Sequence, residues 1–253
     1  MLAAAAAWLG RRAEKIPLNT RLALLAAGAV LAVHWVCFFL SARLSTVAIG
    51  MVASFTFPVF SAVAEPIVFR ERFRPRTLLT AGLVVAGVAC LLLADTARGS
   101  VLLGVAFGLA ASVLFVTRNL ITRGVVAKVG GIRAMAWQVG AAAIVLSWAF
   151  LLLDAPPTAT DWLGVLYLGL VPTALTHTLF IRSFRYFSVA TASVITSLQV
   201  LYGIAYAWMF LGERPDAPVL AGGGIVLAAV VFESLAAGRA SRRPAEVADV
   251  DAA

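Results

Sequence analysis

Apolar residues in this chain run in blocks of about twenty, separated by short polar segments. An α-helix of that length crosses the hydrocarbon layer of a membrane, which is roughly 30 Å thick. The pattern predicts eight complete membrane spans, near residues 22–42, 46–69, 77–95, 100–122, 133–153, 162–181, 189–211 and 218–237. We therefore expect an all-α fold, a polytopic bundle of transmembrane helices.

Composition and charge placement support a membrane protein and give its orientation. Of the 253 residues, 62% are hydrophobic and only 13% are charged, whereas soluble domains are about a quarter charged. If the first complete span runs outward, 17 of the 20 Lys and Arg residues lie on the cytosolic side. This asymmetry predicts a multi-pass protein of the bacterial inner membrane with a cytosolic C-terminus. It also accounts for the net charge of +8 without nucleic acid as a partner.

Residues 34–88 align with residues 176–230 without a gap, at a constant offset of 142. The identical pairs, each given as a first-copy and a second-copy residue, include Phe38 and Phe180, Arg43 and Arg185, Val47 and Val189, and Glu71 and Glu213. A complete copy would have five helices. Because five is an odd number, the two copies would be inverted in the membrane. We expect residues 1–97 to form an incomplete first repeat with three spans, 98–238 a second repeat with five, and 239–253 a disordered cytosolic tail.

The apolar stretch at residues 1–10 is too short to span a bilayer. The offset of 142 places it on residues 143–152, at the end of a helix of the second repeat. We interpret it as a helix stub, which implies that roughly 40–50 residues of the first repeat are missing, through deletion or a misassigned start.

Two segments, FRERFRPRTLLTAGLVVAGVACLL and FLGERPDAPVLAGGGIVLAAVVFE, resemble the paired endings of repeats in the EamA-type drug/metabolite transporter superfamily. The run FTFPVFSAVAEPIVF resembles the fourth helix of that family. The resemblance implies ten helices in two inverted halves, cytosolic termini and transport of a small organic solute. This chain departs from it at Arg70, where the family has Gly, and by the absence of the first helix.

Positions shared by the copies suggest scaffold roles. Glu71 and Glu213 each lie between a span and the next helix, where a carboxylate stabilises a helix N-terminus. Small residues spaced four apart predict close helix contacts, and they occur in the pairs Gly104 and Gly108, Gly82 and Ala86, and Gly224 and Ala228.

Polar side chains at membrane depth where the copies differ are the candidates for a solute site, because such residues usually face protein or a water-filled cavity. The candidates for substrate binding and transport are His34, Trp35, Glu65, Asn119, Gln138, His177, Gln199 and Tyr202. Several candidates have two interpretations. Each histidine is either a proton shuttle or a buried side chain bonded to a neighbour.

Glu65 shares one helix face with Ser54, Pro58 and Ser61, at spacings of 4, 3 and 4, and we expect this face to line a cavity. The carboxylate either couples transport to a proton or cation, or forms an ion pair with Arg118 or Arg123. Pro58 and Pro66 are expected to loosen the backbone of this helix.

No catalytic constellation, cofactor motif or metal-ligand spacing is recognised in the sequence, so we predict no enzyme activity, no cofactor and no metal site. The predicted function is alternating-access transport of a small organic metabolite or drug-like compound, with proton-coupled export as the hypothesis for direction. The alternative is a non-transporting membrane module that assembles with a partner chain supplying helices. The expected partners are a small-molecule substrate and membrane lipids, with a homodimer or helper subunit as the protein partner.

Overall fold

The computed structural model describes residues 16–70, 76–91, 93, 100–152, 156–187, 189, 192, 196, 199–229, 231, 232 and 235. The helices are α1 (Leu18–Leu44), α2 (Val47–Ser54), α3 (Phe57–Phe69), α4 (Arg76–Leu91), α5 (Val101–Val129), α6 (Gly131–Leu146), α7 (Ala159–Leu168), α8 (Thr176–Ser183), α9 (Gln199–Leu211) and α10 (Ala217–Ala229). A 3-10 helix at Ser147–Leu152 follows α6, and none of the described residues forms a β-strand. The all-α prediction is confirmed. The predicted helix stub at 1–10, Glu71 and the tail at 239–253 lie outside the described residues.

Five described segments are long and apolar enough to cross a membrane, namely Leu18–Leu44, Val47–Phe69, Val101–Val129, Gly131–Ala149 and Ala159–Ser183. Shorter apolar helices at Gly82–Leu91, Tyr202–Leu211 and Ala217–Ala229 lie within the three remaining predicted spans. The chain is therefore an integral multi-pass membrane protein, while the number of eight spans and the inverted repeat stay predictions.

The second predicted span is broken between α2 and α3, at Phe55 and Thr56. Pro58 lies in the first turn of α3, where its missing N–H costs nothing and where its ring would clash with a helix continuing from α2. The Thr56 hydroxyl lies 2.8 Å from the carbonyl oxygen of Ala53 and 3.0 Å from Ser112 Oγ. The loosening predicted for Pro58 is thus an interruption between α2 and α3, where the Thr56 hydroxyl bonds to the Ala53 carbonyl near the end of α2.

A π-helical segment, Gly169–Leu175, joins α7 to α8 and contains Pro172. The wider turn accommodates a residue that cannot donate a backbone hydrogen bond. At the start of α7, Thr158 and Asp161 form a reciprocal capping box, with the Asp161 carboxylate 2.8 Å from the Thr158 N–H. These local signals set where the predicted sixth span begins and bends.

Two residues that are equivalent in the predicted repeat, Arg70 and Gly212, both have a left-handed backbone, with φ of 55° and 67°. Glycine adopts this conformation freely, whereas other residues pay about 1–2 kcal/mol for it. The departure at Arg70 from the family's Gly therefore changes the residue type and leaves the backbone turn in place.

The described residues fall into two compact units. The first unit comprises residues 16–33 and 117–187, and the second comprises 34–116 and 189–235. Both are discontinuous in sequence, because α1 and α5 each contribute to both. They are units of packing, so the predicted repeat boundaries at 97 and 98 stay a prediction.

The core of the second unit is aliphatic and joins α2, α4, α5 and α10. Ile49 and Val52 pack there with Leu91 and Val219, and each of the four is at most 1% exposed. Close packing of these side chains stabilises the unit.

Small residues allow close helix approach, but at only one of the three predicted pairs. A β-carbon on Gly108 would lie 2.5 Å from Ala53 Cβ, and Ser41 Oγ donates a 2.6 Å hydrogen bond to the Gly104 carbonyl. At Gly82 and Gly224 a β-carbon would meet nothing within 4 Å. Close packing at the latter two is therefore a wrong prediction. The close approach in this region occurs instead at two neighbouring glycines, Gly87 and Gly222.

Candidate functional site

A continuous polar network lies inside the first unit, between α5 and α6. The Arg118 guanidinium donates from Nε to Gln138 Oε1 at 2.7 Å and from Nη1 to Asn119 Oδ1 at 2.9 Å. Gln138 Nε2 in turn donates to Thr122 Oγ1 at 2.9 Å, and the Thr122 hydroxyl donates to the Arg118 carbonyl at 2.7 Å. All four side chains are 0% exposed. The structure therefore brings two predicted site residues, Asn119 and Gln138, into one cluster.

Local sequence explains how the network is assembled. Arg118 and Thr122 are one turn apart on α5, so they lie on the same face. Gly130, with φ of 78°, makes the turn that begins α6 and brings Gln138 alongside. Gly28 of α1 lies so close to Gln138 that a β-carbon there would come within 2.5 Å of the Gln138 carbonyl oxygen. Glycine at position 28 thus lets α1 pack against this cluster.

One donor in the network has no acceptor. Because Asn119 Oδ1 faces the Arg118 donor, the amide orientation is set and Nδ2 points elsewhere. Among the described residues, Nδ2 has no hydrogen-bond partner although it is buried, and the same holds for Thr178 Oγ1 on α8. A buried polar atom without a partner costs about 1–3 kcal/mol. Such atoms in a membrane protein are where a bound solute or water is expected.

Glu65 lies in the second unit and is 4% exposed. Its Oε1 accepts a hydrogen bond from the backbone N–H of Val189 at 3.1 Å. Ser54 and Ser61 on the same predicted face are also buried, and neither hydroxyl has a hydrogen-bond partner. This face therefore points into protein and keeps unused hydrogen-bonding capacity. Its role as a cavity wall stays a prediction.

Glu213 makes a related contact in the same unit. Its carboxylate accepts from the backbone N–H of Val47, the first residue of α2, with Oε2 at 2.9 Å and Oε1 at 3.3 Å. Thr46 caps the same helix by accepting from the Ile49 N–H. The predicted stabilisation of a helix N-terminus is present, but the helix is distant in sequence and is not the next one along the chain.

Val47 and Val189 are equivalent positions at the offset of 142. Each N–H is bound by a glutamate from elsewhere in the chain, Glu213 in one case and Glu65 in the other. At Val47, the first residue of α2, this negative charge is favourable because it complements the unpaired N–H groups of the helix N-terminus. Glu65 therefore has a structural contact as well as its predicted transport role.

His34 is half-buried in the second unit. Its Nδ1 lies 2.8 Å from the Ala111 carbonyl oxygen, and since a carbonyl can only accept, Nδ1 must carry a proton. The ring also packs against Phe115, with ring centroids 5.0 Å apart. These contacts favour the interpretation of His34 as a bonded, packed side chain.

The remaining candidates are less enclosed. Trp35 and His177 are half-buried, while Gln199 and Tyr202 are exposed on α9. No cluster of three metal-ligating side chains occurs among the described residues. Cys37 and Cys90 are free thiols. Of the eight predicted residues, Asn119 and Gln138 are therefore the pair that the described contacts connect. Each accepts a hydrogen bond from Arg118.

Sequence reasoning missed Thr122 and Met135 as members of the network. Thr122 could have been found from its spacing of four from Arg118. Met135, whose Sδ accepts from Arg118 Nη2 at 3.5 Å, carries no such signal because a methionine in an apolar helix is typical of plain packing.

An open groove of about 640 Å³ lies between α9 and α10 in the second unit. Its lining is almost entirely apolar, and Arg214 is the charged residue that borders it. None of the eight predicted site residues lines it. We therefore base no solute site on this groove.

Comparisons with known proteins agree with the sequence and the fold. A sequence model of the EamA-like transporter family matches residues 1–93 and 102–235. A protein of Archaeoglobus fulgidus described as an uncharacterized transporter is 24% identical over 198 residues, which are 78% of this chain and 71% of that protein. A solved crystal structure, described only as that of a protein, superimposes with a TM-score of 0.67 at 18% identity and covers 94% of this chain and 83% of its own. That last likeness is one of fold alone.

Proposed function

Since this chain belongs to the EamA-like transporter family, we propose that it moves a small organic metabolite or drug-like compound by alternating access. Membership makes the chain a membrane transporter of the drug/metabolite type and not an enzyme. Its direct partners are accordingly a small-molecule substrate and the lipids of the membrane.

The buried network of Arg118, Asn119, Thr122 and Gln138 is the observation that carries the proposal. Each side chain is fully buried in helices that are mostly apolar. Polar and charged groups at such positions are costly in a membrane and mark solute paths in most proteins that keep them.

We assign solute contacts to the predicted set, namely His34, Trp35, Glu65, Asn119, Gln138, His177, Gln199 and Tyr202. The purified full chain, reconstituted in proteoliposomes, tests this with a labelled metabolite mixture and mass spectrometry of the released solutes. Gln138→Ala should lower transport at least tenfold, while Ser147→Ala, at the exposed end of the same helix, should leave it unchanged. Normal transport by Gln138→Ala would refute the assignment.

We infer that export is coupled to proton exchange at Glu65. Support comes from its burial and from its contact with the Val189 N–H, because protonation would remove the charge that strengthens this hydrogen bond. Glu65→Gln should abolish transport driven by a pH gradient and leave exchange without a gradient intact. Gradient-driven transport at the normal rate in this variant would exclude Glu65 as the coupling group.

A second candidate function is assembly with a partner chain, as a homodimer or with a helper subunit. It is favoured by one face of α4, on which Leu79, Gly82, Leu83 and Ala86 are all exposed. Small residues beside large apolar ones are typical of helix contacts within membranes. A photo-crosslinking residue at Ala86 should then capture a protein, and one at the buried Val84 should not. Capture of lipid alone at Ala86 would count against assembly.

We place the protein in the bacterial inner membrane with its C-terminus in the cytosol, on the strength of the arginine and lysine distribution. A C-terminal fluorescent protein that folds only in the cytosol should be bright. A C-terminal phosphatase that is active only outside the cytosol should be inactive. The opposite pair of results would reverse the orientation.

A further inference from the structure

The buried network of the first unit has a surplus of hydrogen-bond donors. Arg118 supplies donors only, and its contacts occupy Gln138 Oε1 and Asn119 Oδ1. Gln138 Nε2 occupies Thr122 Oγ1, whose own hydrogen is bonded to the Arg118 carbonyl. Each side-chain acceptor in this chain of bonds already receives a hydrogen. The NH2 group of Asn119 Nδ2 is left without an acceptor among the described residues.

The group that would complete the network is therefore an acceptor. The Asn119 amide cannot be turned to relieve this, because turning it would set its NH2 against the Arg118 donor and lose the 2.9 Å bond. The missing acceptor lies beside a carboxamide that is itself bonded to a guanidinium. In a site shielded from water, an anionic acceptor gains more from such neighbours than a neutral one.

A further contact points in the same direction. Arg118 Nη2 donates to Met135 Sδ at 3.5 Å, and a thioether sulfur is a weak acceptor. An oxyanion is a much stronger acceptor than this sulfur. Arginine and a carboxamide together match the two oxygens of a carboxylate.

We propose that Asn119 and Arg118 bind the acidic group of the transported solute, so that the substrate class is small organic acids or zwitterions with a free carboxylate or equivalent oxyanion. The inference rests on the proposed transport function and specifies the chemistry of the same site. Gln138 also orients the guanidinium through its bond to Arg118 Nε, and Thr122 acts as a positioning residue because it binds Gln138.

Asn119→Asp is the decisive variant. It keeps the acceptor for Arg118 Nη1 and replaces the unpartnered donor with a carboxylate oxygen, so that the protein supplies the missing anion itself. The thermal midpoint of the variant without ligand should rise, and its affinity for acids should fall at least tenfold. Asn19→Asp, which adds the same charge at an exposed residue, should leave the affinity for acids unchanged.

The assay is thermal unfolding of the purified full chain in the presence of a metabolite library sorted into acids, zwitterions, amines and uncharged compounds. We expect the compounds that stabilise the wild-type chain to carry an acidic group, and their shifts to disappear in Asn119→Asp. Stabilisation by amines or uncharged compounds with none by acids would overturn the proposal. So would acids that stabilise Asn119→Asp as well as the wild type, or a library in which no acid stabilises the wild type, since a water molecule would then suffice as the acceptor.

Transport of the same library in proteoliposomes separates this inference from the function it rests on. If amines are transported and Asn119→Asp transports them normally, the chain is a transporter and the acid site is wrong. If acids bind and lose affinity in Asn119→Asp but nothing is transported, the acid site stands and the transport function is wrong.

Discussion

The contact between Glu213 and the first turn of α2 offers a stability test that does not depend on knowing the substrate. The Glu213 carboxylate accepts from the Val47 N–H through both oxygens, at 2.9 and 3.3 Å. Two other bonds already serve this turn, because Thr46 caps Ile49 and the Thr46 carbonyl accepts from Gly50. The perturbation is Glu213→Gln, which keeps an acceptor oxygen and removes the charge.

The expected cost follows from two contributions. A hydrogen bond to a charged group is worth about 1.5–3 kcal/mol and a neutral one about 0.5–1.5 kcal/mol, so neutralisation loses about 1 kcal/mol. Removing the charge from a helix N-terminus loses about a further 0.3–1 kcal/mol. The sum is about 1.3–2 kcal/mol, which corresponds to a fall of about 3–8 °C in the thermal midpoint of a chain of this size.

Val47→Pro removes the donor and completes a double-mutant cycle. Proline is favoured at the first helical residue, and the backbone of Thr46, with φ of −130° and ψ of 161°, suits a residue that precedes proline. In this background Glu213→Gln should retain only the helix-terminus contribution of about 0.3–1 kcal/mol.

The assay is scanning fluorimetry of the four purified proteins in one detergent, with Arg214→Gln as the control for charge in the same loop. Arg214 is exposed, so its neutralisation should change the free energy of unfolding by no more than about 0.5 kcal/mol. The reasoning is refuted if Glu213→Gln costs as much with proline at position 47 as with valine.

The same unfolding assay tests two backbone predictions. Arg70→Gly should stabilise the chain by about 1 kcal/mol, because it relieves a left-handed non-glycine residue. Gly212→Ala should destabilise the chain by a similar amount. Changes of the same sign in the free energy of unfolding for the two variants would contradict this reasoning. Gly28→Ala should cost about 1–3 kcal/mol, because its β-carbon would lie 2.5 Å from the Gln138 carbonyl oxygen. Gly82→Ala, with nothing within 4 Å, should instead stabilise its helix by about 0.5–1 kcal/mol; a loss of stability there would show that the face is packed.

Local features were predictable because their causes are local. The break before Pro58 follows from the geometry of the pyrrolidine ring, and the left-handed turn at Gly212 is one that a residue without a β-carbon adopts freely. Asn119 and Gln138 were identified because they are polar residues at membrane depth. Burying a polar side chain there costs free energy whichever residue it contacts, so no partner had to be known.

Partnerships between distant residues were not predictable in the same way. Glu213 was expected to serve the helix that follows it and instead binds Val47, which is 166 residues away. The spacing of Gly82 and Ala86 was correct for a close helix contact, yet the close approach occurs on a different face of the same helix, at Gly87. Spacing defines the faces of a helix but cannot say which face meets a neighbour.

What the sequence determined by itself is the class of molecule: helices that cross a membrane, the residues where they break and turn, and membership of a transporter family. Hydrophobicity and backbone sterics decide these, and both are properties of a residue and its immediate neighbours. Only the tertiary structure decided that Arg118, Asn119, Thr122 and Gln138 form one network and that its open position is a donor. Whether a buried polar group is satisfied depends on which atoms the fold brings within hydrogen-bonding distance.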